Sequence, residues 1–123
     1  MNSKEFDNYL ESIGGLVNAY KVDSIIKDRI YFDFSDGWLD ITKDLIEDLI
    51  KLGWNKHIFQ AKEKFGGGRF YIGSSSTEMD ERIMKWEEQT YKTCEECGST
   101  IEVETSASGH GWIRTVCSSC RKT

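Results

Sequence analysis

Residues 94–120 read CEECGSTIEVETSASGHGWIRTVCSSC, and this stretch decides how the chain is built at its C-terminal end. Cys94 and Cys97 form one C-x-x-C, Cys117 and Cys120 form a second, and nineteen residues separate Cys97 from Cys117. Two intervening residues let a tight turn aim both sulfurs at one ion. Two such turns complete a tetrahedron of thiolates with no open coordination position, which is the ligand set of a structural Zn2+ site. Gly98, just after the first pair, tolerates the backbone conformation such a knuckle demands. Between the pairs, residues 100–105 alternate as IEVE and residues 112–116 form another β-like run, with 106–111 as the tip. The pattern predicts the hairpin of a zinc ribbon. Two disulfides are the competing reading. They suit an exported chain, whereas the opening residues MNSKEFDNYLES lack a leader's basic and apolar regions, and cytosolic thiols stay reduced. A thioredoxin-type dithiol uses one C-x-x-C at the start of a helix after a strand, and here two pairs sit together. His110 lies at the expected hairpin tip, and four thiolates leave no place for it on the metal.

Upstream of the cysteines, Met79, Ile83, Trp86 and Thr90 define one face of a helix, with Ser75 and Glu78 placed as a capping box. Before it, Phe59, Ala61, Glu63 and Phe65 alternate onto one face of a strand, residues 69–72 form another, and Gly66, Gly67 and Gly68 supply a loop, so a hairpin is expected. Trp38, Ile41, Leu45, Leu49 and Leu52 recur at helical spacing, with Ser35 or Asp36 as the cap and Gly53 as the stop. Residues 19–34 are rich in β-branched and aromatic side chains around a polar Lys27-Asp28, which predicts a further antiparallel hairpin. A first helix is expected over residues 3–13, where Phe6, Leu10 and Ile13 share a face, Asn2 and Glu5 form a capping box, and Gly14-Gly15 terminates it. The resulting class is α+β: a small antiparallel sheet covered by about three helices, followed by a zinc-ribbon-like four-cysteine module. The expected division is a body over 1–91 and a module over 92–123.

A chain of 123 residues with 38% hydrophobic residues buries one core and does not accommodate two tandem enzymes. Its apolar runs are too short for a membrane helix, and together with the N-terminus this predicts a cytoplasmic protein. The net charge of -5 argues against a general electrostatic grip on nucleic acid. The imbalance belongs to residues 1–91, which hold 12 Lys and Arg against 17 Asp and Glu; the tail holds 4 of each.

Two charged features carry candidate binding roles. Asp36, Asp40, Asp44 and Asp48, with Glu47 beside them, recur every fourth residue on the second helix. Like charges one turn apart cost a few tenths of a kcal/mol per pair. A solvated face is the plain reading of this stripe, and a surface meeting a basic partner is the functional one. Arg69, Arg114, Arg121 and Lys122 could instead contact phosphates, which would make the chain a nucleic-acid-binding zinc-ribbon module. The run Gly66-Gly67-Gly68-Arg69 lacks the G-K-[ST] ending of a P-loop and reads as a hairpin. His57 has no acid, nucleophile or second histidine near it in sequence and is read as the first residue of a strand. No Ser-His-Asp, H-E-x-x-H or cysteine-protease pattern is present, so the expectation is a non-enzymatic protein.

The segment QAKEKFGGGRFYI at residues 60–72, preceded by Gly37-Trp38 and followed by CEECG and GWIRTVCSSC, resembles small zinc-ribbon proteins encoded by phages and mobile elements, which read KEKFGGLRFY at this point. The resemblance spans about residues 37–120. It departs at Gly68, where a leucine is usual, which predicts a looser hairpin. What it implies is a phage-related origin and a bacterial host cell. By analogy with zinc-containing anti-CRISPR proteins, it also implies an inhibitor that binds a host defence enzyme such as a Cas nuclease.

Overall fold

The computed structural model describes residues 1–107 and 111–121; His110 and Lys122 lie outside the described residues. Helix α1 (Ser3–Ser12) begins at the expected capping box, with the Asn2 side chain accepting from Glu5 N at 2.8 Å and Glu5 accepting from Asn2 N at 2.9 Å. It buries Phe6, Tyr9 and Leu10. Gly14 and Gly15, both at positive φ, then turn the chain into β1 (Leu16–Asn18). Strand β2 (Ile25–Ile26) pairs back on β1, and β3 (Phe32–Asp33) follows a 3-10 turn at Arg29–Tyr31. Another such turn, Asp36–Trp38, leads into α2 (Leu39–Lys51), and Gly53 at φ 96° ends it. Strands β4 (His57–Lys64) and β5 (Gly67–Ile72) form the expected hairpin. Helix α3 (Thr77–Thr90) buries Met79, Ile83, Trp86 and Thr90 as its spacing predicts, with Ser76 rather than Ser75 as the cap. Strands β6 (Val103–Ala107) and β7 (Ile113–Cys117) make the second sheet, and a short α4 (Ser118–Arg121) closes the described chain.

The class is α+β, and the main sheet is mixed rather than wholly antiparallel. Strand β4 pairs antiparallel with β5 along one edge, and in parallel with β1 at His57 and Ile58 and with β3 at Ala61 and Lys62. Because β5 occupies one edge throughout, β1 and β3 share the other edge end to end. The hairpin expected over 19–34 is therefore replaced by a two-residue return to β1 and a separate parallel strand. The cause is polar bonding from within the segment and from α1. Asp28 caps the 3-10 turn by accepting from Ile30 N at 3.0 Å, Asp7 accepts from Arg29 N at 2.6 Å, and the Arg29 guanidinium donates to the Phe32 and Phe34 carbonyls. Tyr20, Val22, Ile25, Ile30 and Tyr31, expected in strands, stand exposed.

The β4 face also differs from strict alternation. A bulge between Ile58 and Gln60 lets Ile58 and Ala61 both point into the core while Phe59 points out. Phe65 and Gly66 form the tight turn, both at positive φ, and Gly67 and Gly68 belong to β5. A Cβ at Gly68 would lie 2.5 Å from the ring of the fully buried Trp86. Glycine here admits the helix rather than loosening the hairpin. Around Trp86 an aromatic core runs through Phe70 at 5.6 Å, Trp38 at 6.5 Å and Phe34 at 6.2 Å. Its indole N–H groups are satisfied by Thr42 Oγ1 for Trp86 and the Thr93 carbonyl for Trp38. Among the described residues no helix is long and apolar enough to cross a membrane.

Candidate metal centre

The last turn of α3 delivers the chain to Cys94, whose N–H donates to the Ser99 carbonyl at 2.8 Å while its carbonyl accepts from Gly98 N at 2.9 Å. Gly98, at φ 81°, makes this close return possible. The other two ligands come from the end of β7 and from α4, placing Cys117 and Cys120 opposite the knuckle. The four Sγ atoms lie within 4.8 Å of one another, and none of the cysteines is in a disulfide. Cys97 Sγ and Cys117 Sγ are 3.7 Å apart. A tetrahedron with metal–sulfur bonds of about 2.3 Å has edges of about 3.8 Å, whereas a disulfide needs about 2.05 Å. This donor set therefore fits a metal ion.

The thiols of Cys94 and Cys120 are shifted in opposite directions. Burial opposes ionisation of Cys94, yet backbone N–H groups of Cys97, Cys117 and Glu96 directed at its sulfur bring the thiol down to about 7. Hydrogen bonding with Cys117 and Cys94 pushes Cys120 up to about 12. Cys94 is thus the thiol that ionises most readily, while its neighbour Cys120 resists further negative charge.

The cluster is stapled to the body. Gly37 N donates to the Glu95 carbonyl at 2.9 Å, the Trp38 indole donates to the Thr93 carbonyl at 2.8 Å, and Thr115 Oγ1 donates to the Gly66 carbonyl at 2.6 Å. Glu95, in the first knuckle, is itself buried. Burial raises its pKa, and its carboxylate accepts from Thr115 N at 3.4 Å beside Arg114. Between body and ribbon lies a cleft of about 880 Å³. Its walls carry Asp7, Asp28, Asp33, Asp36, Glu63, Glu95 and Glu96 against two cations, Arg29 and Arg114, which pair with Asp36 and with Glu95 and Glu96, and Trp112, 74% exposed, stands at the rim.

The carboxylate stripe begins at Asp36 in the 3-10 turn, which displaces the expected Ser35 or Asp36 cap so that Trp38 precedes α2, and it is largely engaged within the molecule. Asp36 pairs with Arg29 at 3.1 Å, Asp40 with the N-terminal amine at 3.3 Å and Asp48 with Arg82 at 2.7 Å. Glu47 and Asp44 lie against Tyr9, where burial and then their charge push the phenol above its usual range. The candidate phosphate contacts do not gather into one patch: Arg114 pairs with Glu95 and Glu96, Arg121 pairs with Glu104, and Arg69 sits on β5 against Tyr91. His57 opens β4 as expected. No family model, curated protein or solved structure matches the chain. The cleft and its exposed tryptophan escaped sequence reasoning because their residues come from distant segments; the one local sign was Trp112 itself, read only as a strand residue.

Proposed function

We propose that the chain is a zinc-ribbon binding protein of phage origin that acts without catalysis by docking on a basic surface of a host defence enzyme such as a Cas nuclease. The four-thiolate donor set and its sulfur spacing support Zn2+ as the resident ion. Bound there, zinc would hold the knuckle and α4 together as a structural cross-link, and its binding energy would be largely folding energy for the tail. The observation that supports the partner reading is the cleft beside Trp112, where carboxylates outnumber the two arginines that line it. Carboxylates converging on one concave surface steer a cationic partner, and an exposed indole at its rim offers a face to an arginine or lysine. Nucleic-acid enzymes present such cations along their guide and target channels. The resemblance over about residues 37–120 supplies the phage origin, and analogy with zinc-containing anti-CRISPR inhibitors supplies the choice of partner.

The test is inhibition of DNA cleavage by a purified Cas nuclease at increasing concentrations of the protein, repeated with Asp33→Lys/Glu96→Lys and with Trp112→Ala. All three positions are exposed, so the fold should survive. Inhibition by the parent chain and its loss in the charge-reversed variant is expected. Equal inhibition by all variants would remove the cleft from the mechanism, and none by the parent chain would remove the defence-enzyme reading.

A further inference from the structure

The outer face of the main sheet, opposite the side on which Ala61 and Phe70 are buried, carries a combination that folding does not explain. The K-E-K sequence at residues 62–64 and the β4–β5 register put Lys62, Lys64 and Arg69 on that face, while Glu63 points toward the cleft. Lys62 and Arg69 are directly opposed across the two strands, an arrangement that is destabilising between like charges. Asp33 flanks Lys62 from β3, and Arg69 is held by the Tyr91 side chain with Glu87 nearby, so the patch is partly relieved at both margins.

Aromatic side chains share this face. Tyr71 is opposite Gln60 on the next rung, and the bulge turns Phe59 outward beside it. Tyr20 closes on Phe59 edge-on at 5.0 Å between ring centroids. Tyr20 is 75%, Phe59 40% and Tyr71 46% exposed. A core-building strand would turn these rings inward; here a β-bulge is spent on turning one outward. Flat rings alternating with cations on a sheet are what an unpaired polynucleotide needs: its bases stack on the rings and its phosphates meet the cations.

We infer that the outer sheet face is a docking platform for single-stranded nucleic acid, carried by Tyr20, Phe59 and Tyr71 for stacking and by Lys62, Lys64 and Arg69 for phosphate. A basic surface on a chain of net charge -5 favours a polyanion over the cationic partner of the cleft. Stacking favours an unpaired strand over a duplex, whose bases offer no free face. This surface meets the cleft at Asp33, and its rings and cations lie outside the cleft lining. It also relocates the phosphate contacts expected on the ribbon arginines to the body.

The experiment is fluorescence anisotropy of a labelled oligothymidylate of about 12 nucleotides with the full zinc-loaded chain at low salt, then across a salt series. Binding is expected with a log–log salt slope of about -2, since three phosphate contacts contribute about 0.7 each on a single strand. Phe59→Ala/Tyr71→Ala should weaken it about tenfold or more, Lys62→Glu/Lys64→Glu should weaken it and flatten the slope, and Ile101→Ala, on the exposed ribbon surface, should leave it unchanged. Backbone amide shifts in the unsubstituted chain should map the oligonucleotide to β4 and β5. No binding at low salt, equal affinity for duplex, or shifts confined to Arg114 and Arg121 would overturn the inference. Self-association through this face without oligonucleotide binding would overturn it in favour of a second copy of the chain.

Discussion

Gly37→Ala perturbs the one point where the start of α2 and the first cysteine knuckle touch backbone to backbone. A Cβ at this position would stand 2.2 Å from the Cys94 carbonyl oxygen and 2.6 Å from the Glu95 carbonyl. Neither is the far end of a flexible side chain, so relief requires the knuckle and the Asp36–Trp38 turn to move apart. Separation stretches the bond from Gly37 N to the Glu95 carbonyl and the bond from the Trp38 indole to the Thr93 carbonyl. The second loss leaves a donor unsatisfied on a side chain with no solvent exposure, costing about 1–3 kcal/mol, and the first costs about 1 kcal/mol. Partial relaxation trades this against overpacking strain of similar size, so the total is about 3 kcal/mol. For a chain of this length that lowers Tm by roughly 10 °C. Thermal unfolding of the metal-loaded variant, followed by tryptophan fluorescence and circular dichroism, measures it. A Tm within about 2 °C of the parent would refute the close-approach argument. Metal affinity should fall as well, because the clash is with the carbonyl of the ligand residue Cys94 and with Glu95 in the same knuckle.

Elemental analysis should find about one zinc per chain, lost in Cys94→Ser together with tail protection from proteolysis; a metal-free chain with a protected tail would refute zinc as the organiser. Acidification should release the ion as protons compete for the thiolates, read by a chelating dye, with no release on moderate alkalisation. Asp48 has its carboxyl pKa lowered first by the hydrogen bond from Arg82. A lowered carboxylate stabilises the fold above its unfolded pKa, and the contribution is lost as pH falls through the folded value. Because Asp48 is half exposed, Arg82→Met should cost less than about 1 kcal/mol near neutral pH and progressively less in acid. A carboxyl titration by NMR should show Asp48 returning to its ordinary range, and an unmoved Asp48 would contradict the pairing.

Legibility in the sequence followed the range of the interactions involved. The Asn2–Glu5 box, the α3 face and both cysteine knuckles are set within a few residues, and each forms where its spacing places it. The segment 19–34 misleads because its partners are elsewhere: Phe32 pairs with Ala61, and Arg29 is fixed by Asp7 and by carbonyls downstream. Alternation in β4 fails at one bulged residue, which no local pattern marks. Gly67 and Gly68 look like loop residues because glycine serves tight turns and close packing alike; only Tyr91 and Trp86 lying against them distinguish the two. The α2 carboxylates are visible as a stripe, but their partners Arg29, Arg82 and the N-terminal amine are remote in sequence.

Strand β4, with β1 and β3 laid end to end along one edge, also fixes an order of events. Both strands precede β4 in the chain and have only two or three residues each, too short to persist without a neighbour. During synthesis, β1 has only the two-residue β2 beside it and β3 has no strand partner until residues 57–64 are available, so the sheet is expected to assemble on the β4–β5 hairpin. That hairpin is local and forms quickly, whereas each parallel pairing closes a loop of about thirty to forty residues and is slow. The exposed Tyr20, Val22 and Ile30 are at their greatest risk of aggregation in that interval, which makes the middle of this chain the template on which its beginning is assembled.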